Sequence, residues 1–286
     1  MTPHPYVPFL FHMTKRSPAW LLSLFLACML FPKELLADAE AVPLQIRDAS
    51  NHTTTFTHPV KRIIPLYSAF AEILLDIHAK ECIQARTTGE ADPNFVDLPS
   101  VGTHMRPNLE RIVALEPDLV LQLHGRQDAS VTTEAMRRLG VPVLELRLDS
   151  FDDLFSCMDL LGTLTGHEED AHSLHHTMQQ TLQAIQTRHD QTKKVRVFFE
   201  VRSPSLLTAG KKNIVNEIIT IAGGENVITE NKKLVRITDE AVLAMNPDAY
   251  VIQKGPMNAD PLPLEKRPAL HALQACQAKR SLVVDE

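Results

Sequence analysis

The chain has little with which to run covalent chemistry. It contains no Gly-x-Ser-x-Gly, no His-Glu-x-x-His, no phosphate-binding Gly-rich loop and no Gly-x-Gly-x-x-Gly. That excludes the usual nucleophile elbow, zinc-hydrolase helix, P-loop and dinucleotide site. Glu110 and Glu116 are near neighbours, but helix-end carboxylates account for both. Aromatic residues make up 5%, with one Trp and three Tyr. Few aromatic faces are therefore available to hold a large flat ligand. Positive charge is not in excess either. A net charge of −6 excludes general nucleic-acid binding, which needs a basic surface. The cysteines, Cys28, Cys82, Cys157 and Cys276, show no CxxC spacing, so cysteine redox and Cys-metal chemistry are excluded.

Long apolar runs are also scarce, and the clearest is N-terminal. Lys15 and Arg16 precede the apolar stretch Trp20 to Phe31, followed by Ala37-Asp38-Ala39. A charged region, an apolar region and a small-x-small site make up a secretory leader. The stretch is short for a membrane span. Residues 1–39 are predicted to be a signal peptide, cleaved after Ala39 or, as second choice, after Ala41. A second reading takes Leu26-Ala27-Cys28 as a lipid-attachment site at Cys28. Against it stand Phe25 and the apolar residues beyond the cysteine. Once the leader is gone, Cys82, Cys157 and Cys276 allow at most one disulfide, or serve as buried small hydrophobes.

What the sequence does have is a phrase written twice. Ala114-Leu-Glu-Pro-Asp-Leu-Val-Leu-Gln-Leu-His-Gly125 returns as Ala244-Met-Asn-Pro-Asp-Ala-Tyr-Val-Ile-Gln-Lys-Gly255. In each copy a helix ends, a Pro-Asp turn follows, and an apolar run ends in a polar residue and Gly. Pro cannot continue a helix and pushes its predecessor out of the helical region. An apolar run without alternation reads as a parallel strand covered on both faces. Two related α/β lobes follow from this. The predicted organisation is an N-terminal lobe over 42–148, a connecting helix over 149–192 and a C-terminal lobe over 193–286. The connector lacks Pro and carries a dip at Gly166. In the first lobe the β-α-β order implies a parallel sheet with right-handed crossovers.

Four phrases in order, from Arg62 to the C-terminus, resemble the periplasmic substrate-binding proteins of ABC importers for ferric siderophores, haem and cobalamin. They are Arg62-Ile-Ile-Pro-Leu-Tyr-Ser-Ala-Phe-Ala-Glu72; Leu98-Pro-Ser-Val-Gly102 with Pro107-Asn-Leu-Glu110 and Leu115-Glu-Pro-Asp-Leu-Val120; Thr208-Ala-Gly210 with Asn216-Glu217 and Ala222-Gly-Gly-Glu-Asn226; and Asn246-Pro-Asp248. The resemblance implies two parallel-sheet α/β lobes joined by a single long backbone helix, with a ligand cleft between them. It implies binding rather than catalysis, a monomer, no intrinsic cofactor, and delivery to a permease dimer in the inner membrane. It also implies that Glu72 and Glu217, one per lobe, pair with permease arginines. Family members carry a further helix after the final strand; its absence beyond Ser281 to Asp285 implies a shortened second lobe.

Open parallel sheets bind ligands beyond the C-terminal ends of their strands. The candidate ligand contacts are therefore Tyr67, Thr103, His104, Arg106, His124, Arg126, Arg202 and Lys254. His124 and Lys254 are equivalent in the repeat and are expected to face each other across the cleft. Arg, Lys and His together suit an anionic ligand, such as a carboxylate-bearing siderophore or haem propionates. The plainer alternative is that these are ordinary water-facing loop residues.

His104 and His124, with Tyr67, are candidate metal donors. His172, His175 and His176 share a helical face at a chelating spacing, though a solvated face explains them as well. The few aromatics place a ferric siderophore ahead of haem and cobalamin. The alternatives kept open are a protein that binds a transition-metal ion or small metal complex through His104 and His124, a secreted metal-dependent enzyme, and an adaptor that docks without ligand.

Overall fold

The computed structural model of the protein describes residues 43–90, 92–125, 127–188 and 194–285. The predicted leader, Cys28 and Arg126 lie outside the described residues. No helix among the described residues is long and apolar enough to cross a membrane.

The first lobe is built on a parallel sheet of β3 (Ile63–Pro65), β6 (Leu119–Leu123) and β7 (Val143–Leu146), in that order. Isolated parallel bridges from Ile63 to Ile83 and from Arg86 to Ser100 extend it on the β3 side. All residues of the three strands are buried, as expected for a sheet covered on both faces. On one face Leu119, Leu121 and Leu144 pack with Phe70, Leu74 and Phe155. On the other, Val120 and Val143 pack with Ile112 and Met136. The covering helices are α1 (Ser68–Asp76), α2 (Leu109–Ala114) and α3 (Gln127–Arg138). A leading antiparallel hairpin, β1 (Leu44–Arg47) and β2 (Thr53–Phe56), inserts Phe56 into the core. A second small hairpin, β4 (Gly102–Thr103) with β5 (Arg106–Pro107), rises before α2.

The connector departs from the predicted single helix over 149–192. It consists of two helices, α4 (Phe151–Thr165) and α5 (Glu168–Gln186). The chain reverses at Gly166, which takes φ +78°, a conformation glycine adopts without penalty. The two helices then pack antiparallel: Gly162 lies against Ala171, and Asp159 against His175. A Cβ on Gly162 would stand 2.5 Å from the Cβ of Ala171, so glycine permits this close approach. The helical period is continuous through the reversal, so periodicity alone did not reveal it. Only α5 leads on towards the second lobe. Its Leu174, Met178 and Leu182 pack against the first lobe's core.

The second lobe has a six-stranded sheet. β8 (Val195–Arg202) and β12 (Ala249–Lys254) form its parallel centre, with β13 (Ser281–Asp285) parallel on the edge. β9 (Leu207–Ala209) and β11 (Leu234–Arg236) continue it antiparallel on the other side, and β10 (Gly224–Asn226) pairs with the start of β8. Helices α6 (Ile214–Ile221), α7 (Asp239–Met245) and α8 (Gln274–Gln277) complete the lobe. On β13, Leu282 and Val283 are exposed.

The repeated phrase has a physical cause. Glu116 and Asn246, each before its Pro, both turn out of the helix with positive φ, +44° and +43°. The Asp that follows then ties down the start of the neighbouring strand. Asp118 Oδ2 accepts from the backbone N–H groups of Lys61 and Arg62 at 3.0 and 2.9 Å. Asp248 Oδ2 accepts from the N–H of Arg196 at 2.9 Å. Arg62 and Arg196 in turn donate to the carbonyls of Leu115 and Asn246 at the ends of the preceding helices. Asp118→Ala and Asp248→Ala are each expected to cost about 1 kcal/mol, lowering Tm by roughly 2–4 °C in a thermal melt. Asp118, with two bonds, should cost more than Asp248.

Candidate functional site

In the first lobe, parallel pairing sets the ends of β3 and β6 side by side. Pro65 is level with Leu121, so Tyr67 and His124 leave the sheet at adjacent strand ends. Tyr67 stands at the N-cap of α1, half-buried, with its ring edge-on to His104 at 6.4 Å and to Phe70 at 6.2 Å. The structure thus brings together the predicted Tyr67 and His104. Thr103 and Arg106 are exposed on the β4–β5 hairpin. There Thr103 Oγ1 accepts from the Arg106 backbone N–H at 3.1 Å and shapes the turn that carries His104.

His124 follows β6, and its backbone N–H donates to Leu146 at 2.8 Å. Its Nδ1 lies 3.0 Å from Oε2 of Glu145, a buried carboxylate on β7. Behind Glu145 stands a second ion pair. Arg137 Nη2 donates to Asp48 Oδ2 at 2.6 Å, and Arg137 Nη1 is 3.9 Å from Glu145 Oε1. Asp48 also accepts from Ser50 N, Ser50 Oγ, His52 N and Glu145 N. Burial works to raise the Asp48 pKa, but the Ser50 hydroxyl, the Glu145 and His52 backbone groups and Arg137 together hold it below the usual carboxylate value.

In the second lobe Arg202 and Lys254 end the neighbouring strands β8 and β12, which pair as far as Glu200 with Ile252. Arg202 Nε donates to the Ser205 carbonyl at 3.4 Å. Lys254 lies 3.9 Å from Asp285 on β13, with both side chains largely exposed. Such an exposed pair contributes little to stability, so Lys254 keeps its reach into solvent. A pocket of about 350 Å³ opens at this end of the sheet, lined by Ser203, Pro204, Asp260 and Arg267 among others.

Its floor is a buried group that the sequence analysis did not single out. Arg267 pairs with Glu200, which also accepts from the Tyr250 hydroxyl at 2.6 Å and from Asn258. Burial, then the adjacent Glu200, pushes the Tyr250 phenol far above its ordinary pKa. Tyr250 is therefore a core donor, with no face to offer a ligand. Glu145 and Glu200 shared one readable signal: each is a single carboxylate inside an apolar strand run.

The two predicted docking glutamates are not alike in their surroundings. Glu72 is exposed on α1. Glu217 is half-buried on α6, and its Oε2 accepts from the Phe151 backbone N–H, at the start of α4, at 2.8 Å. Lys233 pairs with Asp149 beside it. Both contacts tie the start of the connector to the second lobe.

The His172, His175 and His176 face does not form a chelate. His175 stacks on Phe155 at 4.3 Å and binds Asp159, and His176 bonds Gln180. Among the described residues no three His, Cys, Asp or Glu side chains converge as metal ligands. Cys82, Cys157 and Cys276 are all free thiols. Burial pushes the Cys157 pKa up to about 12, so it is unreactive.

Residues 63–286 match the periplasmic binding protein family, and the chain belongs to it. It is thus a solute-binding protein, of a family whose members are not enzymes. It is 28% identical over 288 residues to an uncharacterized ABC transporter substrate-binding lipoprotein of Bacillus subtilis, covering 96% of this chain and 91% of the relative. It is 28% identical over 194 residues to a vitamin B12-binding protein of Salmonella typhi, covering 67% and 71%. The solved structure of the periplasmic haem-binding protein of Vibrio cholerae shares the fold, with a TM-score of 0.67 at 23% identity, covering 78% and 89%.

Replacing Arg137 with Met removes the cation paired with the buried Asp48 carboxylate and leaves it only its hydrogen bonds to Ser50, His52 and Glu145. The expected cost is about 3 kcal/mol at pH 7, measured by urea unfolding. A depressed pKa stabilises the fold fully above the unfolded value, near about 3.9, and that contribution is lost as pH falls through the folded value. The gap between wild type and variant should therefore narrow below about pH 4.

Proposed function

We propose that this protein is the periplasmic component of an ABC importer, holding a metal chelate between its lobes and passing it to the permease. The observation that carries this reading is that Tyr67 and His124 leave the first lobe's sheet at adjacent strand ends, with His104 of the neighbouring hairpin edge-on to Tyr67. Arg202 and Lys254 occupy the matching strand ends of the second lobe. Aromatic and imidazole groups on one lobe and cationic groups on the other suit a ligand with a metal centre and an anionic periphery. Among ligands, the relatives named for vitamin B12 and haem favour a tetrapyrrole, against the scarcity of aromatic faces, which favours a ferric siderophore. A bare transition-metal ion is less well served, since no three His, Cys, Asp or Glu side chains converge among the described residues and a tyrosine would have to complete the set.

Absorbance or fluorescence titration against haemin, cobalamins and ferric siderophores tests the reading. One class should bind at a single site, and Tyr67→Ala and Lys254→Glu should each weaken it. Failure of every chelate to bind would overturn it.

Docking on the permease is proposed to use Glu72 and Glu217. Ion pairs at an interface rim set orientation and association rate more than affinity. Glu72→Arg is expected to abolish transport in whole cells with ligand affinity unchanged. Glu217→Arg is expected to abolish transport and also lower Tm, because Phe151 N–H loses its acceptor. Equal loss of ligand affinity in both variants would assign these residues to the binding site instead.

A further inference from the structure

Glu145 is an unusual residue to find inside a fully buried strand, and its placement has a chemical consequence for His124. Its Oε2 meets His124 Nδ1, and its Oε1 faces Arg137, which Asp48 holds in turn. The carboxylate thus has a guanidinium behind it, and the Glu145 main chain is tied to Asp48 and Ala49. An ionised carboxylate only accepts hydrogen bonds, so His124 Nδ1 carries the proton and Nε2 carries the lone pair. Among the described residues no group bonds Nε2, and it is not one of the buried unpaired nitrogens, so it is open to solvent. The ring is 28% exposed at the end of β6, one strand from Tyr67. A histidine whose Nδ1–H is held by a carboxylate, with Nε2 presented outward, has the arrangement that orients metal-binding imidazoles and raises their basicity.

We infer that Glu145 positions His124 so that Nε2 coordinates the metal of the bound chelate. The inference rests on the chelate-binding reading and narrows its ligand class. The metal must keep one exchangeable position. Binding then exchanges a metal-bound water for the Nε2 lone pair. The water leaves, the Nδ1 proton stays in its bond to Glu145, and no electron is transferred. Iron and cobalt tetrapyrroles carry such a position. A ferric siderophore with six oxygen donors does not.

The test compares probes that differ at the metal. Aquocobalamin and haemin offer an exchangeable position, and cyanocobalamin does not. With wild-type protein, aquocobalamin or haemin should show a visible band shift marking a nitrogen donor, and His124→Ala should abolish it. Glu145→Gln should weaken binding of the same probe by about 10–100-fold and leave any cyanocobalamin affinity unchanged. A shift that persists in His124→Ala overturns the inference. So does a Glu145→Gln loss that is equal for aquocobalamin and cyanocobalamin, since that would mark a purely structural role. Binding of a ferric siderophore alone overturns the inference and leaves the uptake reading standing. Binding of no chelate overturns both.

Discussion

A parallel strand covered on both faces can carry a polar side chain only at its ends, or inside where a partner satisfies it. That constraint organises this protein. β3, β6 and β7 are buried along their whole length. Hydrogen-bonding and charged groups are therefore driven to the strand ends, where Tyr67 and His124 emerge together. The same constraint forces Glu145 and Glu200 into buried networks with Arg137 and Arg267. In the first lobe that network reaches the strand end through His124. In the second it closes on Tyr250 and Asn258 beneath a pocket.

The two lobes share a device and diverge in its use. Each sets an aspartate after a Pro turn and uses it to fasten the start of the adjacent strand. At the far end of the same strands the symmetry breaks. His124 has a buried acid behind it, whereas Lys254 has an exposed one at longer range. The first strand end carries an imidazole backed by a buried carboxylate, and the second carries a solvent-exposed ammonium.

Much of this was legible in the sequence because burial and turn chemistry are local. The Pro-Asp repeat marked β6 and β12, and strand-end logic picked out Tyr67 and His124, which leave the sheet at adjacent strand ends. The helix reversal at Gly166 was not legible, because both halves keep a helical period and only the Gly162–Ala171 approach reveals the antiparallel packing. The role of Asp48 was also hidden, since it meets Arg137 and Glu145 across 89 and 97 residues of chain, too far for any motif. The resemblance implied a permease-docking Glu217 but gave no sign that its carboxylate accepts from the Phe151 N–H, a contact between distant segments.

Family membership makes the chain a binding protein. The central claim is that its cargo is a metal already held in an organic chelate. Native mass spectrometry with metal analysis, on protein purified from the periplasm, tests this most directly. The account predicts one iron- or cobalt-bearing chelate per chain, released together with its organic part on unfolding. Tightly bound bare zinc, with hydrolytic turnover, would contradict it.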